Sequence, residues 1–405
     1  MFGLFWLYIV IFSAGPSIRD VFPVLCGLCL CGYYRHNWQQ STLRRFPAKW
    51  LFVVFFALTI WGMLFSQNVW ASFLHVVRGS NQAYILPFIA MECVRDTRDL
   101  RRVLWAVALA CLWQGCNGVW QSVSGFDFID HTPLISGRLT GSLSDYRVGN
   151  YMALMLIPAC ALWFPLRQRF SILRTLAVLA LLLGPGVYLL YFTYTRNGYL
   201  TVIVGLGLWL FVREERPHWK PLLYAGAALL AVACIVPQRL GADVLARDGR
   251  WDLWRFGWAV FEQSPIWGAG FGQYNAAFRQ LGLVPTLDPV TISHPHNIYL
   301  QLLCESGVVG FGLGITFLLG FLVWGYRSIH GPLQAERARA RQGEAGCHWR
   351  MTALFWCVWG AYLASGVFGH DFYRVWWQAL MMTHLGVMIG AIVNGPQNNC
   401  QVKQP

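Results

Sequence analysis

The sequence predicts an all-α integral membrane protein with about twelve transmembrane helices and one long, partly helical loop between helices 9 and 10. Three observations support this fold class. Of the 405 residues, 56% are hydrophobic and only 12% are charged, about half the charged fraction of soluble domains. Apolar runs long enough to cross a bilayer recur along the chain. The first run meets no charge before Arg19, so it lacks the basic start of a cleaved signal peptide.

The apolar runs divide the chain into four predicted parts. Residues 1–236 hold helices 1–9, residues 237–296 form the long loop, residues 297–393 hold helices 10–12, and residues 394–405 form a tail. The twelve runs lie at roughly 2–15, 19–34, 50–66, 71–91, 102–123, 148–165, 172–193, 197–212, 219–236, 297–326, 351–369 and 374–393. The first two are short and predict a tight pair or one re-entrant unit. A segment rich in Arg, Ala, Glu and Gly at 334–346 predicts a solvated linker.

Basic residues are distributed unequally between the alternate connections. With the N-terminus in the cytoplasm, the inner segments hold twenty of the 31 Lys and Arg residues and seven of the 18 acids, whereas the outer segments hold ten of each. The positive-inside rule then predicts that both termini are cytoplasmic and that the long loop lies on the outer side. The net charge of +13 therefore indicates topology and contact with anionic membrane lipids, and not nucleic-acid binding.

The twelve cysteines do not form a pattern typical of a disulfide framework or a metal site. Cys26, Cys29 and Cys31 lie in an apolar run without histidine or acidic neighbours, and the long loop contains no cysteine. We therefore predict neither a metal ion nor a cofactor.

The junction between the long loop and the tenth run carries the sequence Ser-His-Pro-His-Asn at 293–297. Pro295 holds the preceding residue out of the helical region and favours the start of a helix, so we expect His296 and Asn297 in the first turn at a membrane–water boundary. Because histidine exchanges its proton near neutral pH, His296 is the candidate catalytic base. A boundary histidine with satisfied hydrogen bonds is the alternative. His294 is expected to point elsewhere, as a supporting or loop residue.

Three outer arginines are candidate ligands for an anion. Arg196 lies in a polar break between the seventh and eighth runs, where it is either a snorkelling anchor or an anion ligand. Arg250 begins an amphipathic helix, whose positive end and the guanidinium could face one anion together. Arg147, just before the sixth run, is a similar case.

The long loop contains a predicted helix over 250–263. Trp251, Trp254, Trp258 and Phe261 recur at helical spacing and form one stripe. Such a stripe is typical of a helix that lies at the membrane interface or of one that packs the loop onto the bundle.

Two further polar features have a structural and a chemical interpretation. The alternate glycines of 268–272 predict a tight turn, because a nucleotide-binding loop would need a preceding strand and a following Lys-Ser/Thr. Glu305 lies half a turn away from the helix face of His296. We therefore predict that Glu305 is a buried partner of an arginine such as Arg78, and not a catalytic carboxylate.

Three of these patterns together resemble signatures of the O-antigen ligase/polymerase superfamily. Residues 296–310 are similar to its His-Asn…Leu…Glu-x-Gly-x-x-Gly pattern, and residues 195–198 to its Thr/Ser-Arg-x-x turn. Arg250 followed by the Pro-x-x-Gly-x-Gly-x-Gly of 265–272 resembles its outer-loop pattern. The order and spacing agree, whereas Asn197 and the short outer loop depart from the family.

The resemblance implies a GT-C-like membrane fold in the bacterial inner membrane. It also implies glycan transfer from undecaprenyl diphosphate to a hydroxyl acceptor on the periplasmic side, without a metal or a nucleotide sugar. By this analogy His296 activates the acceptor, while Arg196 and Arg250 bind the donor diphosphate, with Arg147 as a third candidate. The chemistry agrees, because a dianionic leaving group needs guanidinium partners when no metal is present, and a sugar hydroxyl needs a base. Direct attack would invert the anomeric centre.

The predicted function is that of an O-antigen ligase, which transfers glycan onto lipid A–core in lipopolysaccharide biosynthesis. A polymerase and a protein O-oligosaccharyltransferase of the same superfamily are close alternatives. A transporter of lipid-linked glycan is the alternative from another class. The sequence disfavours it, because we see no internal repeat. A transporter should also have paired acidic and basic residues midway through several helices, and only Arg78 and Glu305 clearly qualify.

Overall fold

The computed structural model of the chain describes residues 1–79, 81–143, 147–215, 250–284, 294–369 and 371–396. Within these ranges the chain is all-α. It contains α-helices, short 3-10 turns and two isolated β-bridges between residues 126 and 138, and no strand.

Sixteen α-helices are present in the described part of the chain. In order they are α1 Phe2–Ile11, α2 Pro16–Asn37, α3 Thr42–Arg45, α4 Trp50–Leu64, α5 Val69–Gly79, α6 Leu86–Cys93, α7 Thr97–Ser124, α8 Val148–Ala159, α9 Trp163–Arg167, α10 Ile172–Phe192, α11 Arg196–Arg213, α12 Arg250–Gln263, α13 Tyr274–Gln280, α14 Ile298–Arg341, α15 His348–Ser365 and α16 Val375–Val393.

Among the described residues, six helical segments are long and apolar enough to cross a membrane. They are Thr97–Ser124, Val148–Arg167, Ile172–Phe192, Ile298–Arg341, His348–Phe368 and Val375–Val393. Phe2–Ala14 and Trp50–Leu64 are shorter apolar helices. The ninth predicted run at 219–236 lies outside the described residues, as do 237–249 and 285–293 of the long loop and 397–405 of the tail. The total of twelve spans therefore stays a prediction.

The fourth predicted run, 71–91, is wrong as a single helix. It divides into α5, a 3-10 turn at Asn81–Tyr84 and α6. Pro87 lies in the first turn of α6, where its missing N–H is tolerated and its fixed φ favours the start of a new helix. The apolar composition of the run concealed this break.

The predicted solvated linker at 334–346 is wrong over 334–341, whereas 342–346 form a mostly exposed turn. The helix α14 continues to Arg341, and Glu336 is buried at the end of the bundle. The Glu336 carboxylate accepts hydrogen bonds from the backbone N–H of Trp349 at 2.9 Å and from Nε of Arg350 at 3.1 Å. These bonds join the end of α14 to the start of α15. The polar residues of this segment therefore form a contact between two helices.

The connections predicted to be cytoplasmic lie together at one end of the bundle. Asn394 donates to the carbonyl of Val94 at 2.7 Å, and the Thr97 hydroxyl lies 2.9 Å from Nδ1 of His348. The described residues of the connections predicted to be outer lie at the other end, where Leu139 donates to the carbonyl of Phe192 at 3.2 Å and Gln67 to that of Ala269 at 3.1 Å. Which of the two ends faces the cytoplasm stays a prediction from the distribution of charged residues.

Candidate active site

His296 lies immediately before α14 in left-handed backbone, with φ 52°. The helix begins at Ile298, because Oδ1 of Asn297 caps it by accepting hydrogen bonds of 3.0 Å from the N–H groups of Tyr299 and Leu300. The sequence predicted His296 and Asn297 in the first turn of this helix, but they lie two residues and one residue before it begins. A left-handed conformation in a residue other than glycine costs about 1–3 kcal/mol, and such strain is found mainly at functional sites.

The rings of His294 and His296 are in contact, with centroids 4.3 Å apart and planes at 49°. The expectation that His294 points elsewhere is thus wrong. Pro295 keeps the chain extended between the two histidines, and residues two apart in an extended chain project to the same side. His294 is almost fully buried, at 4% exposure.

The environment of His296 fixes its protonation state. Burial, together with the nearby His294 and Arg250, lowers the pKa of His296 to about 3, and a hydrogen bond to the backbone carbonyl of Gly369 opposes this shift. His296 is therefore neutral at pH 7. Because one ring nitrogen donates to Gly369, the other carries the lone pair that can accept a proton.

Asp371, in the turn between α15 and α16, is an acidic residue of the site that the sequence analysis did not identify. Burial raises the pKa of Asp371, but the charge of His294 and a 2.7 Å hydrogen bond from Nε2 of Gln301 outweigh burial and hold this pKa below its ordinary value. The backbone N–H of Tyr373 adds a bond of 2.9 Å. The predicted topology placed this turn on the same side of the membrane as His296, and this was the feature of the sequence from which Asp371 could have been identified.

Two of the three candidate arginines act electrostatically on the histidine pair. Arg250 lowers the pKa of His296, as described above. Burial lowers the pKa of His294, and the charges of Arg374 and Arg147 lower it further, while Asp371 opposes them. Arg374, just before α16, is thus a further basic residue near the site.

Arg196 lies on α11, which packs against α8. It is the first residue of α11. Two residues earlier, Tyr194 has left-handed backbone with φ 48°. Gly149 lies against the preceding threonine so closely that a Cβ at this glycine would be 2.7 Å from Cβ of Thr195. The start of α8, which follows Arg147, therefore touches the start of α11.

The turn before Arg196 is held by another outer arginine. Nε of Arg138 donates to the carbonyl of Thr193 at 2.6 Å, and its Nη2 lies 3.4 Å from the Thr195 hydroxyl. Asn197, noted above as a departure from the family, is 6% exposed, and its side-chain amide makes no hydrogen bond with the described residues. A buried amide without a protein partner is a candidate contact for a substrate.

Each candidate arginine lies at the N-terminal end of a helix. Arg147 is the residue before α8, and Arg196 and Arg250 are the first residues of α11 and α12. The positive end of a helix disfavours a cation and favours an anion. Each of these helix ends therefore favours a negative ligand next to its arginine.

The helix α12 spans the predicted 250–263, but its buried face differs from the predicted stripe. Leu253, Phe256 and Val260 are buried, whereas Trp251 is 59% exposed and Trp258 is 52% exposed. The face of Leu253, Phe256 and Val260 therefore packs the loop onto the bundle. The exposed tryptophans remain available for the membrane interface.

The alternate glycines of 268–272 form a tight turn, as predicted. Gly268, Gly270 and Gly272 have φ of 78°, 104° and 71°, the left-handed region that favours glycine. Gly268 donates to the carbonyl of Ser264 at 2.8 Å, Gly270 donates to the carbonyl of Glu305 at 2.8 Å, and Gly272 donates to the Glu305 carboxylate. These N–H groups are engaged within the protein, so the turn is not a phosphate cradle.

Glu305 is fully buried and holds this turn against α14. Its carboxylate also accepts from the backbone N–H of Tyr274 at 3.2 Å and lies 3.4 Å from Nε2 of Gln301. The predicted pair with Arg78 is wrong, because that arginine is exposed near the end of α5. Backbone N–H groups from a loop distant in sequence take the place of the expected cation.

A break in α14 at Gly307 allows the outer loop to pack closely against this helix. Gly307 has φ 64°, and a Cβ there would lie 2.2 Å from the carbonyl oxygen of Ile266. The N–H of Val308 donates to the carbonyl of Pro265 at 2.8 Å. The segment 265–272, which carries the outer-loop pattern, therefore packs directly against the Glu-x-Gly segment of α14.

Among the described residues, no group of three His, Cys, Asp or Glu side chains could hold a metal ion. Residues 177–315 match the model of the protein family described as O-Antigen ligase. This range includes Arg196, Arg250 and His296 and begins within α10. A comparison with curated proteins found no match.

Proposed function

We propose that the chain is a lipopolysaccharide O-antigen ligase, and the match of residues 177–315 to the family model described as O-Antigen ligase supports this proposal. It transfers glycan from undecaprenyl diphosphate to a hydroxyl of lipid A–core, as a GT-C-like enzyme of the bacterial inner membrane with its site on the periplasmic side. The observation that carries the proposal is a partly buried, neutral His296 that is influenced by Arg250, next to His294, which is influenced by Arg147.

The arginines bind the donor through its diphosphate. Arg250, Arg196 and Arg147 offer planar guanidinium groups that can each donate two parallel hydrogen bonds to phosphate oxygens. The N-terminal ends of their helices add further stabilisation of negative charge. The polyprenyl chain of the donor stays in the membrane, which accounts for a site at the end of a transmembrane bundle.

His296 acts as the general base. The acceptor oxygen attacks the anomeric carbon, the bond from that carbon to the diphosphate oxygen breaks, and the acceptor proton moves to His296. The leaving undecaprenyl diphosphate carries the released electron pair, which the arginines stabilise. A single displacement of this kind inverts the anomeric centre.

Donor binding also adjusts the strength of the base. Without a donor, burial and the charge of Arg250 help to keep the pKa of His296 near 3, which is low for a base that works near pH 7. A dianionic diphosphate on Arg250 offsets that positive charge and raises the pKa of His296. The base is therefore weak in the empty site and becomes stronger when the leaving group is in place.

His294 and Asp371 position the base. The pKa of Asp371 lies below its ordinary value, so a carboxylate is present next to the histidine pair. Its negative charge opposes the arginines at both histidines. Asp371 thus stabilises the positive charge that His296 gains during transfer.

The test is transfer by the purified protein in lipid bilayers, with a lipid-linked glycan donor and lipid A–core as acceptor. Formation of glycan-capped lipid A–core supports the ligase. Elongation of the lipid-linked glycan when donor is the sole substrate would identify a polymerase. Transfer to a protein hydroxyl would identify a protein O-oligosaccharyltransferase. Movement of the donor across the bilayer without any new glycosidic bond would identify a transporter.

A further inference from the structure

A second basic site lies at the opposite end of the bundle from the histidines. A cavity of about 700 Å³ opens there between the first turns of α7, the first turns of α10 and the turn that joins α9 to α10. The helices α7 and α10 run in the same direction, because Gly115 packs on Gly186 and Gly118 packs on Leu189. Since α7 has 28 residues, the cavity lies about 40 Å from its other end.

In the part of the chain that the structure describes, four arginines and no acidic residue line this cavity. They are Arg98, Arg101, Arg102 and Arg169. The first three lie at positions i, i+3 and i+4 of α7, so they share one helix face, where like charges repel. They also lie in the first two turns of the helix, where the positive helix end disfavours cations. Arg102 is already paired with Asp99, through Nη1 and Oδ1 at 3.1 Å. A bound anion would further offset the repulsion and the effect of the helix end at Arg98 and Arg101.

The remaining walls of the cavity are apolar. They are formed by Trp105, Pro165, Leu166, Phe170 and Val178. Trp105 follows Arg98 by two helical turns on the same face of α7, and Val178 lies in the second turn of α10. The cavity therefore changes from basic at the helix ends to apolar toward the middle of the bundle, the polarity profile of a phospholipid at a membrane surface.

From this arrangement we infer that the cavity binds the phosphate head group of an anionic phospholipid, with the start of an acyl chain against Trp105 and Val178. Arginine is suited to this role, because its guanidinium binds phosphate oxygens through paired hydrogen bonds. Basic pockets between helix ends are typical sites for such lipids. In the predicted topology this lipid lies in the cytoplasmic leaflet. The inference does not depend on the proposed transfer reaction.

The experiment compares lipid retention in nanodiscs of phosphatidylcholine with and without phosphatidylglycerol, measured by native mass spectrometry of the released protein. The wild type is expected to retain phosphatidylglycerol selectively. Arg98→Gln/Arg101→Gln should lower this retention about tenfold or more. The matched control, Arg44→Gln/Arg174→Gln, removes the same charge from exposed arginines that do not line the cavity, and it should retain lipid like the wild type.

Several outcomes would overturn the inference. Equal retention by the cavity variant and the wild type would show that the cavity is not the site, and an equal loss in the control would show a general charge effect. Binding of inorganic phosphate that the cavity variant loses, without any preference for phosphatidylglycerol, would assign the cavity to a soluble phosphate. If the double variant does not fold, Arg169→Gln on the opposite wall provides the same comparison with one substitution.

Discussion

Gln301 and Asp371 are joined by a hydrogen bond of 2.7 Å, in which Nε2 of Gln301 donates to Oδ1 of Asp371. The same nitrogen lies 3.4 Å from Oε2 of Glu305, and the Gln301 side-chain oxygen accepts from the backbone N–H of Phe372 at 2.8 Å. One side chain on α14 therefore links the carboxylate that holds the glycine turn to the carboxylate next to the histidines. This link connects the packing of the outer loop to the proposed chemistry.

The first prediction concerns Asp371 and the pH dependence of transfer. The negative charge of Asp371 raises the pKa of His296, so Asp371→Asn should lower that pKa further. Transfer requires neutral His296, and activity is lost as pH falls through its pKa. The acidic limb of the rate profile should therefore move to lower pH, while the maximal rate falls about tenfold or more because the base is weaker.

The measurement is the rate of transfer against pH at saturating donor. Gln301→Leu removes the hydrogen bond that stabilises ionised Asp371, so it should change the profile in the same direction by a smaller amount. A lower rate with an unmoved acidic limb would show that Asp371 supports only the fold.

The second prediction is that His296→Ala abolishes most transfer and leaves donor binding intact. General-base catalysis contributes about 10²–10⁴ in rate. His294→Ala should also slow transfer, because His294 contacts the ring of His296 and interacts with Asp371. Transfer and donor binding are measured on the same purified variants. His36→Ala, at an exposed position of α2, is the control and should behave as wild type.

Full activity in His296→Ala would remove this histidine from the mechanism. Equal losses of binding and turnover would instead assign it to the donor site.

The third prediction concerns the guanidinium groups. We consider three substitutions that keep the positive charge but remove the planar guanidinium group, which can donate two parallel hydrogen bonds: Arg250→Lys, Arg196→Lys and Arg147→Lys. Each should weaken donor binding and transfer by about tenfold or more, since a hydrogen bond to a charged group contributes about 1.5–3 kcal/mol. Arg255→Lys is the matched control on α12, because its side chain is 76% exposed.

Binding of a lipid-linked donor to each variant in nanodiscs is the measurement. Wild-type affinity in all three candidate variants would contradict the assignment of the diphosphate site.

The fourth prediction separates a structural from a chemical role for Glu305. Glu305→Gln keeps an oxygen that can accept from the N–H groups of Tyr274 and Gly272, so folding and transfer should be nearly unchanged. Glu305→Leu leaves these buried N–H groups without their acceptor, at about 1–3 kcal/mol for each group, and should lower the unfolding temperature. Loss of transfer in Glu305→Gln at an unchanged unfolding temperature would show that the carboxylate acts chemically.

The fifth prediction concerns sidedness. Reporter tags at Gly343 and at the C-terminus should be cytoplasmic, and a tag at Leu283 should be periplasmic, because basic residues predominate in the inner connections. Protease accessibility in intact spheroplasts measures the orientation. A protected tag at Leu283 would exclude a periplasmic site and with it the proposed function.

The amino-acid sequence by itself determined the features that depend on short stretches of chain. Hydropathy and run length placed the six long spans, and the amphipathic pattern predicted α12 over 250–263. Pro295 and Asn297 locate the start of α14 within two residues. These features were predictable because burial periodicity, helix capping and proline geometry act between near neighbours.

Tertiary structure decided which distant residues meet. It brought Asp371 and Arg374 to the histidine pair, and it gave Glu305 backbone N–H partners in place of Arg78. It also made 334–341 a packed helix end through the bonds of Glu336. No local pattern specifies such contacts. They form because helices that must bury their apolar faces together also bring their polar ends together, and that arrangement depends on the packing of the whole bundle.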